Sequence, residues 1–194
     1  MISKIYLIRH GETAWTLSDQ HTGLTDLPLT HNGEEEARNL KKLLANHSFQ
    51  RVLASPLQRA KKTCELAGFS KQCEIDPDLV EWNYGKYEGK KTEEILKENP
   101  SWNLFSQGAP GGESVADVEK RAHRVLEKIK GTSGDVALFS SGHFLRALAA
   151  CWLNLSAAEG RFLFLSTASV SILGYEKNDP VILLWNQQAS QVSL

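Results

Sequence analysis

The 194-residue chain has only three cysteines, Cys64, Cys73 and Cys151, scattered and without a CxxC pair. A disulfide framework or a thiolate zinc site needs cysteines gathered in sets, so both are excluded and buried free thiols are expected. No apolar run approaches the roughly 20 residues that cross a bilayer. The opening "MISKIYLIRH" also lacks the apolar core and small-residue cleavage pattern of a secretory signal, so a cytoplasmic protein with no membrane partner is expected. Neither sign of charge is in excess: 22 Lys and Arg face 23 Asp and Glu. That balance gives no global attraction to nucleic acid. The five tryptophans are not interleaved with basic residues, as a groove for single strands would require. Any anion site must be local. Internal repeats and low-complexity segments are missing too.

What is present suits a globular α/β protein. At this length, 41% hydrophobic residues support a sizeable core, and residues 1–194 are read as a single domain. Ile2 to Ile8 reads as a buried strand that runs into Arg9 and His10. The following "LSDQHTGLTDLPLTHNG" is full of turn formers and has no clean period, which predicts a long loop of the kind that walls a site. In "NGEEEARNLKKLLANH" a helix is predicted, with Ala37, Leu40, Leu43 and Leu44 on one face and Glu34, Glu35 and Glu36 where the helix dipole favours them.

"RVLASP" predicts a second strand and "LQRAKKTCELAG" a helix stopped by Gly68. Farther on, a short strand falls near Cys73 to Ile75, a short helix over Thr92 to Glu98, and a long amphipathic helix runs from Val115 to near Gly131, capped by Ser114. "DVALFSSGHFLRALAACWL" repeats the opening pattern of strand, glycine turn and helix. Leu163 to Leu165, Val170 to Tyr175 and Val181 to Trp185 read as strands, and the polar tail from Gln187 as a frayed end. The alternation predicts a three-layer α/β/α sandwich around a mostly parallel central sheet.

In such a sheet, ligands bind beyond the carboxyl ends of the strands. Those ends deliver Arg9 and His10, then Ser55 and Arg59, then Ser141, Gly142 and His143, with Glu81 beside a short middle strand. Two arginines and two histidines repel one another unless an anion sits among them. Phosphate answers that conflict, because guanidinium forks match its oxygens. Arg9 and Arg59 are the candidate clamps, and a helix start at Gly142 is expected to add backbone donors.

A neutral imidazole nitrogen can attack phosphorus, and His10, held in the turn after its strand, is the better placed of the two histidines. Glu81, beside Trp82 and Tyr84, is the candidate to protonate the leaving oxygen and later to take a proton from water. His143 would stabilise the transition state by hydrogen bonding, and by charge when protonated. This chemistry requires no metal or organic cofactor. A zinc or manganese hydrolase is disfavoured, because the arginine beside His10 repels a cation and no HExxH set occurs. His21 and Thr22 are loop candidates for substrate contact, and Arg146 lies one turn beyond His143.

Taken in order, "LIRHGETAW", "TGLTDLPLTHNG", "ASPLQRAKKT", "EWNYGKYEG", "GGES" and "SSGHFLRALAA" resemble the histidine phosphatase superfamily in its phosphoglycerate-mutase-like branch, from Ile5 to about Trp152. The resemblance implies a phosphoglycerate-mutase-like fold and a phosphorylated intermediate on His10. It implies a phosphate pocket of Arg9, Arg59 and His143, and an acid-base carboxylate at Glu81. Thr16 stands where many relatives carry Asn; it joins His21, Thr22, Gly23 and Gly142 as expected substrate contacts. The loop "TLSDQHTGLTDLPLT" is similar to that of sugar-phosphate phosphatases, and the chain is shorter than cofactor-dependent mutases. The expected activity is therefore hydrolysis of small phosphorylated metabolites, sugar phosphates foremost, by a monomer or homodimer. Phosphoglycerate mutase and a non-enzymatic phosphate-binding module are the alternatives.

Overall fold

The computed structural model describes residues 2–189. Six strands, β1 (Ile2–Arg9), β2 (Phe49–Ala54), β3 (Cys73–Ile75), β4 (Gly134–Ser140), β5 (Ser169–Glu176) and β6 (Asp179–Gln188), form one sheet in the order β3-β2-β4-β1-β5-β6. β3, β2, β4 and β1 run parallel, while β5 and β6 are added antiparallel at one side. Seven α-helices lie among the described residues: α1 (Ala14–Leu17), α2 (His31–Leu44), α3 (Gln58–Cys64), α4 (Thr92–Glu98), α5 (Leu104–Gln107), α6 (Val115–Lys130) and α7 (Gly142–Trp152).

Helices cover both faces of the sheet, which explains why the centre of β1 is an unbroken apolar run. Tyr6, Ile8, Val52 and Phe139 pack against Leu40 and Leu44 of α2 and Cys64 of α3. On the other face, Ile5, Leu7 and Leu138 meet Val118 and Val125 of α6 and Leu145 and Leu148 of α7. The chain leaving β1 thus turns to one face and the chain leaving β4 to the other. Between these neighbouring strands a crevice opens at their carboxyl ends, the place where doubly wound sheets bind ligands.

Local chemistry fixes the helix boundaries. Thr30 caps α2 by accepting from Gly33 N, and Ser114 caps α6 in a reciprocal box with Asp117. α3 continues as a π-helical turn, Glu65–Phe69, in which Gly68 takes φ +100°, so the glycine kinks the chain before it ends.

Two sequence expectations are corrected. Leu163 to Leu165 is not a strand: the Phe164 carbonyl accepts from Trp185 Nε1 at 2.6 Å and the Leu165 carbonyl accepts from Arg9 Nη1, so side chains replace a ladder there. Gln187 and Gln188 are not frayed, because β6 runs through them with Val170 opposite Gln187 and Ser169 opposite Gln188. Residues 190–194 of that expected tail lie outside the described residues. Cys64 and Cys151 are buried and Cys73 half-buried, all three free. No helix among the described residues is long and apolar enough to cross a membrane.

The turn after β1 rests directly on the start of α2. A Cβ at Gly11 would lie 2.3 Å from the Gly33 carbonyl oxygen, and one at Gly33 would lie 2.1 Å from that of Glu12. The Glu12 carboxylate accepts from Thr30 Oγ1 at 2.6 Å and from Asn32 Nδ2 at 3.1 Å, and Thr13 caps α1. Gly33→Ala must push these backbones apart, with an expected loss of about 1–3 kcal/mol or more in urea unfolding. A loss within about 0.5 kcal/mol, the range of an ordinary surface change, contradicts the contact.

Candidate active site

The β1–β4 ladder continues one step past the strands, with His10 N donating to the Ser140 carbonyl at 3.0 Å. This places the His10 side chain, only 4% exposed, at the inner end of the crevice. Its Nδ1 lies 2.8 Å from the Gly11 carbonyl oxygen. A carbonyl can only accept, so Nδ1 carries the proton and Nε2 keeps a free lone pair. Burial first, then Arg59 and Arg9, hold the ring well below its ordinary pKa of 6.5. His10 is therefore neutral at neutral pH. The turn itself is pinned to α3, because Gly11 N donates to Thr63 Oγ1 at 3.1 Å and that hydroxyl donates to the Arg59 carbonyl at 2.7 Å.

The two arginines differ in setting. Arg9 lines the cavity, with its guanidinium packed on Gly142, where a Cβ would fall 3.2 Å from Cζ. Arg59 is fully buried beneath the loop. Its Nη1 donates to the Thr25 carbonyl at 2.9 Å, and its Nη2 to the Gly23 and Thr22 carbonyls at 2.7 and 3.3 Å. Each arginine retains a buried Nε without a hydrogen-bond partner among the described residues. Native proteins rarely leave buried donors unmatched, so both nitrogens mark a place for an acceptor.

Glu81 does not come from a strand end; it follows a short 3₁₀ turn, Pro77–Leu79. Its Oε1 accepts from Trp82 N and Phe144 N, both at 2.8 Å, and its Oε2 from His143 N at 3.0 Å. The carboxylate thus caps α7, whose own Ser141 makes no side-chain cap. Glu81 thus takes the backbone donors of His143 and Phe144, which narrows the expected helix-start donors to Gly142, a residue that lines the cavity. Glu88, the other nearby carboxylate, instead accepts from Gly23 N at 2.8 Å and Thr25 N at 3.1 Å and holds the loop.

His143 Nδ1 lies 2.5 Å from the Tyr84 hydroxyl. Burial raises the Tyr84 phenol well above its ordinary value, so it stays a protonated hydroxyl, which can donate to Nδ1 or accept from it. Burial, then Arg146, His21 and Arg9, hold His143 well below 6.5. The ring is therefore neutral, with Nδ1 engaged by the phenol. Surrounding cations oppose the charged form that the sequence reading allowed. Tyr84 was read only as aromatic surroundings, because its partner is 59 residues away and no local pattern marks the pair.

A single cavity of about 570 Å³ collects Arg9, His10, Glu81, Gly142 and His143 at its inner end and Thr16, His21 and Thr22 along the loop. The Thr16 hydroxyl accepts from Thr13 N at 2.8 Å and donates to the Thr13 carbonyl at 2.9 Å, which closes the α1 capping box. His21 packs against Tyr84 with ring centroids 4.8 Å apart and the planes tilted by 41°, and Thr22 Oγ1 donates to the Gln20 carbonyl at 3.3 Å. Arg59 and Gly23 do not line the cavity. A Cβ at Gly23 would come within 2.5 Å of Glu88 Oε2 and 2.6 Å of the Trp82 carbonyl oxygen, so only glycine fits there. Sequence reasoning did not assign the wall residues Gln20, Lys91 and Phe164 to the site. It left Arg146 open; the structure places that guanidinium on the cavity wall, with Nε donating to the Gly160 carbonyl at 3.0 Å.

Unmatched guanidinium nitrogens around a neutral imidazole define a site for a tetrahedral oxyanion. The family model for the histidine phosphatase superfamily, branch 1, matches residues 5–188. The chain is similar to an acid phosphatase of Mycobacterium tuberculosis, 40% identical over 179 residues that span 89% of this chain and 87% of that protein. It is also similar to the sedoheptulose 1,7-bisphosphatase of Saccharomyces cerevisiae, 35% identical over 77% of this chain and 67% of that protein. The solved structure of the open reading frame Rv3214 from Mycobacterium tuberculosis matches with a TM-score of 0.92 and 36% identity, covering 96% of this chain and 98% of that one. The chain belongs to the histidine phosphatase superfamily. Its class of activity is that of the phosphomonoesterases and mutases that act on small phosphorylated metabolites.

Both histidines have folded pKa values below 6.5, so between the folded and the ordinary value the unfolded chain binds more protons. Stability present above pH 6.5 is consequently lost as pH falls through that window. In an NMR titration, ring signals assigned with His10→Asn and His143→Asn should remain those of neutral tautomers at pH 6.5. A midpoint at or above that pH for either ring contradicts the assignment.

Proposed function

We propose that the chain hydrolyses phosphomonoesters of small metabolites, sugar phosphates foremost, through a phosphohistidine on His10. The observation that carries this reading is the His10 tautomer, with Nδ1–H held by the Gly11 carbonyl and the Nε2 lone pair beside two arginines. In the first transfer Nε2 forms a bond to phosphorus as the ester P–O bond breaks, and Glu81 passes a proton to the departing oxygen. Arg9 Nε and the Nε2–H form of His143 donate to the non-bridging oxygens, and Arg59, buried outside the cavity lining, adds positive charge behind them. In the second transfer water attacks phosphorus and gives its proton to Glu81. The N–P pair returns to Nε2, and inorganic phosphate leaves.

Two features support a polyhydroxylated leaving group. The outer wall presents Asp19, Gln20, Lys91 and Thr92, a mixture of donors and acceptors suited to hydroxyls, and the cavity is far larger than a phosphoryl group. The Saccharomyces cerevisiae relative is a sugar bisphosphatase by name. The walls also leave room for water beside the phosphorylated imidazole, which favours hydrolysis over retention of the phosphoryl group.

His10→Ala should lower turnover at least about 10⁴-fold and abolish an acid-labile phosphoenzyme trapped from labelled substrate. Appreciable turnover by a clean preparation of that variant overturns the assignment. Glu81→Gln should slow hydrolysis of alkyl and sugar phosphates about 10²-fold more than that of p-nitrophenyl phosphate, whose leaving group needs no proton. Equal losses for both substrates would sink the acid-base role.

A further inference from the structure

We propose that Ser141 is a catalytic residue whose buried hydroxyl donates to the transferring phosphoryl group; this rests on the reading of His10 given above. The placement follows from the ladder. Ile8 pairs with Phe139 and Arg9 with Ser140, and the bond from His10 N to the Ser140 carbonyl at 3.0 Å carries the register onward. The next pair is His10 and Ser141. Ser141 is still extended, at φ −120° and ψ 165°, and register partners on adjacent strands project to the same side of a sheet. The serine side chain therefore stands next to the His10 imidazole.

Its hydroxyl has been released from the work such a residue usually does. Ser141 occupies the N-cap of α7, where serine normally accepts from a first-turn N–H. Glu81 takes those donors instead, at 2.8 Å from Phe144 N and 3.0 Å from His143 N. Ser141 is 1% exposed, and its Oγ has no hydrogen-bond partner among the described residues. Its backbone remains fixed, because Leu145 N donates to the Ser141 carbonyl at 3.0 Å.

The company it keeps points to the ligand. Among the described residues, the buried side-chain polar atoms without a partner are Arg9 Nε, Arg59 Nε and Ser141 Oγ. Arg9 precedes His10, Arg59 acts on the His10 ring electrostatically, and Gly142, which follows Ser141, lies against the Arg9 guanidinium. Three unmatched donors around one imidazole complement an oxyanion held in line with Nε2. A hydroxyl also supplies a donor there without adding positive charge beside a ring that must stay neutral. His143, by contrast, sits one residue into the helix with Nδ1 tied to Tyr84.

Ser141→Ala tests this, with p-nitrophenyl phosphate as substrate and inorganic vanadate as the transition-state probe. The expected result is a loss of about 10- to 100-fold in kcat/KM and a comparable weakening of vanadate, while the Tm stays level or rises because no protein hydrogen bond is removed. Unchanged kcat/KM overturns the proposal. So does a loss of activity accompanied by a lower Tm with vanadate affinity intact, which would mark a structural role. Failure to trap phosphohistidine in the unsubstituted protein would overturn the underlying reading of His10, whatever the serine variant does.

Discussion

Three backbone N–H groups converge on the Glu81 carboxylate, and much of the site's geometry follows from that convergence. The first turn of a helix has donors that no helical carbonyl can reach. Here they are satisfied by a side chain arriving from the segment after β3 rather than by the residue at the cap. One contact thereby joins the middle of the chain to α7, holds His143 at the inner end of the cavity and leaves the hydroxyl of Ser141 unclaimed. It also places a carboxylate beside the crevice without a lysine or arginine bonded to it, so its remaining hydrogen-bonding capacity faces the cavity.

The second constraint is electrostatic. Arg9, Arg59 and Arg146 surround two histidines in a space that is mostly buried, and every one of these cations makes protonation of an imidazole harder or crowds another cation. Backbone carbonyls of Thr22, Gly23, Thr25, Gly160 and Leu165 disperse that charge over fixed dipoles. Dipoles screen a guanidinium without neutralising it, so the field that favours a bound phosphoryl dianion persists. The same field keeps the His10 imidazole in its basic form, which is why positive charge and a neutral histidine can occupy one site.

Much of this was legible in the sequence where a signal is local. The apolar core of β1, the cap at Ser114, and the arrival of Arg9 and His10 at a strand end all follow from neighbouring residues. What was not legible depends on partners far apart. The Tyr84–His143 bond spans 59 positions, and it fixes a ring orientation that no motif encodes. Thr16, expected to touch substrate, lines the cavity while its hydroxyl also closes a cap with Thr13, a local contact that the functional reading overlooked. Leu163 to Leu165 had the composition of a strand, but side chains of Arg9 and Trp185 reached its carbonyls first. Polar composition at Gln187 and Gln188 suggested a loose end, whereas pairing with β5 decided otherwise.

Arg59 shows how the loop and the phosphate site form one mechanical unit. Both of its terminal nitrogens are bonded to carbonyls of residues 22–25, so the direction of its remaining Nε is set by the conformation of that loop. The loop is set in turn by Glu88, which accepts from Gly23 N and Thr25 N, and by the close fit that admits only glycine at position 23. His21 and Thr22 from the same loop reach the cavity wall, where a leaving group would lie. A change in the loop therefore alters more than the shape of the cavity wall: it also turns the buried Arg59 guanidinium and its unmatched Nε. The loop and this buried guanidinium are mechanically coupled, because a planar fork held at two nitrogens has no independent freedom at the third.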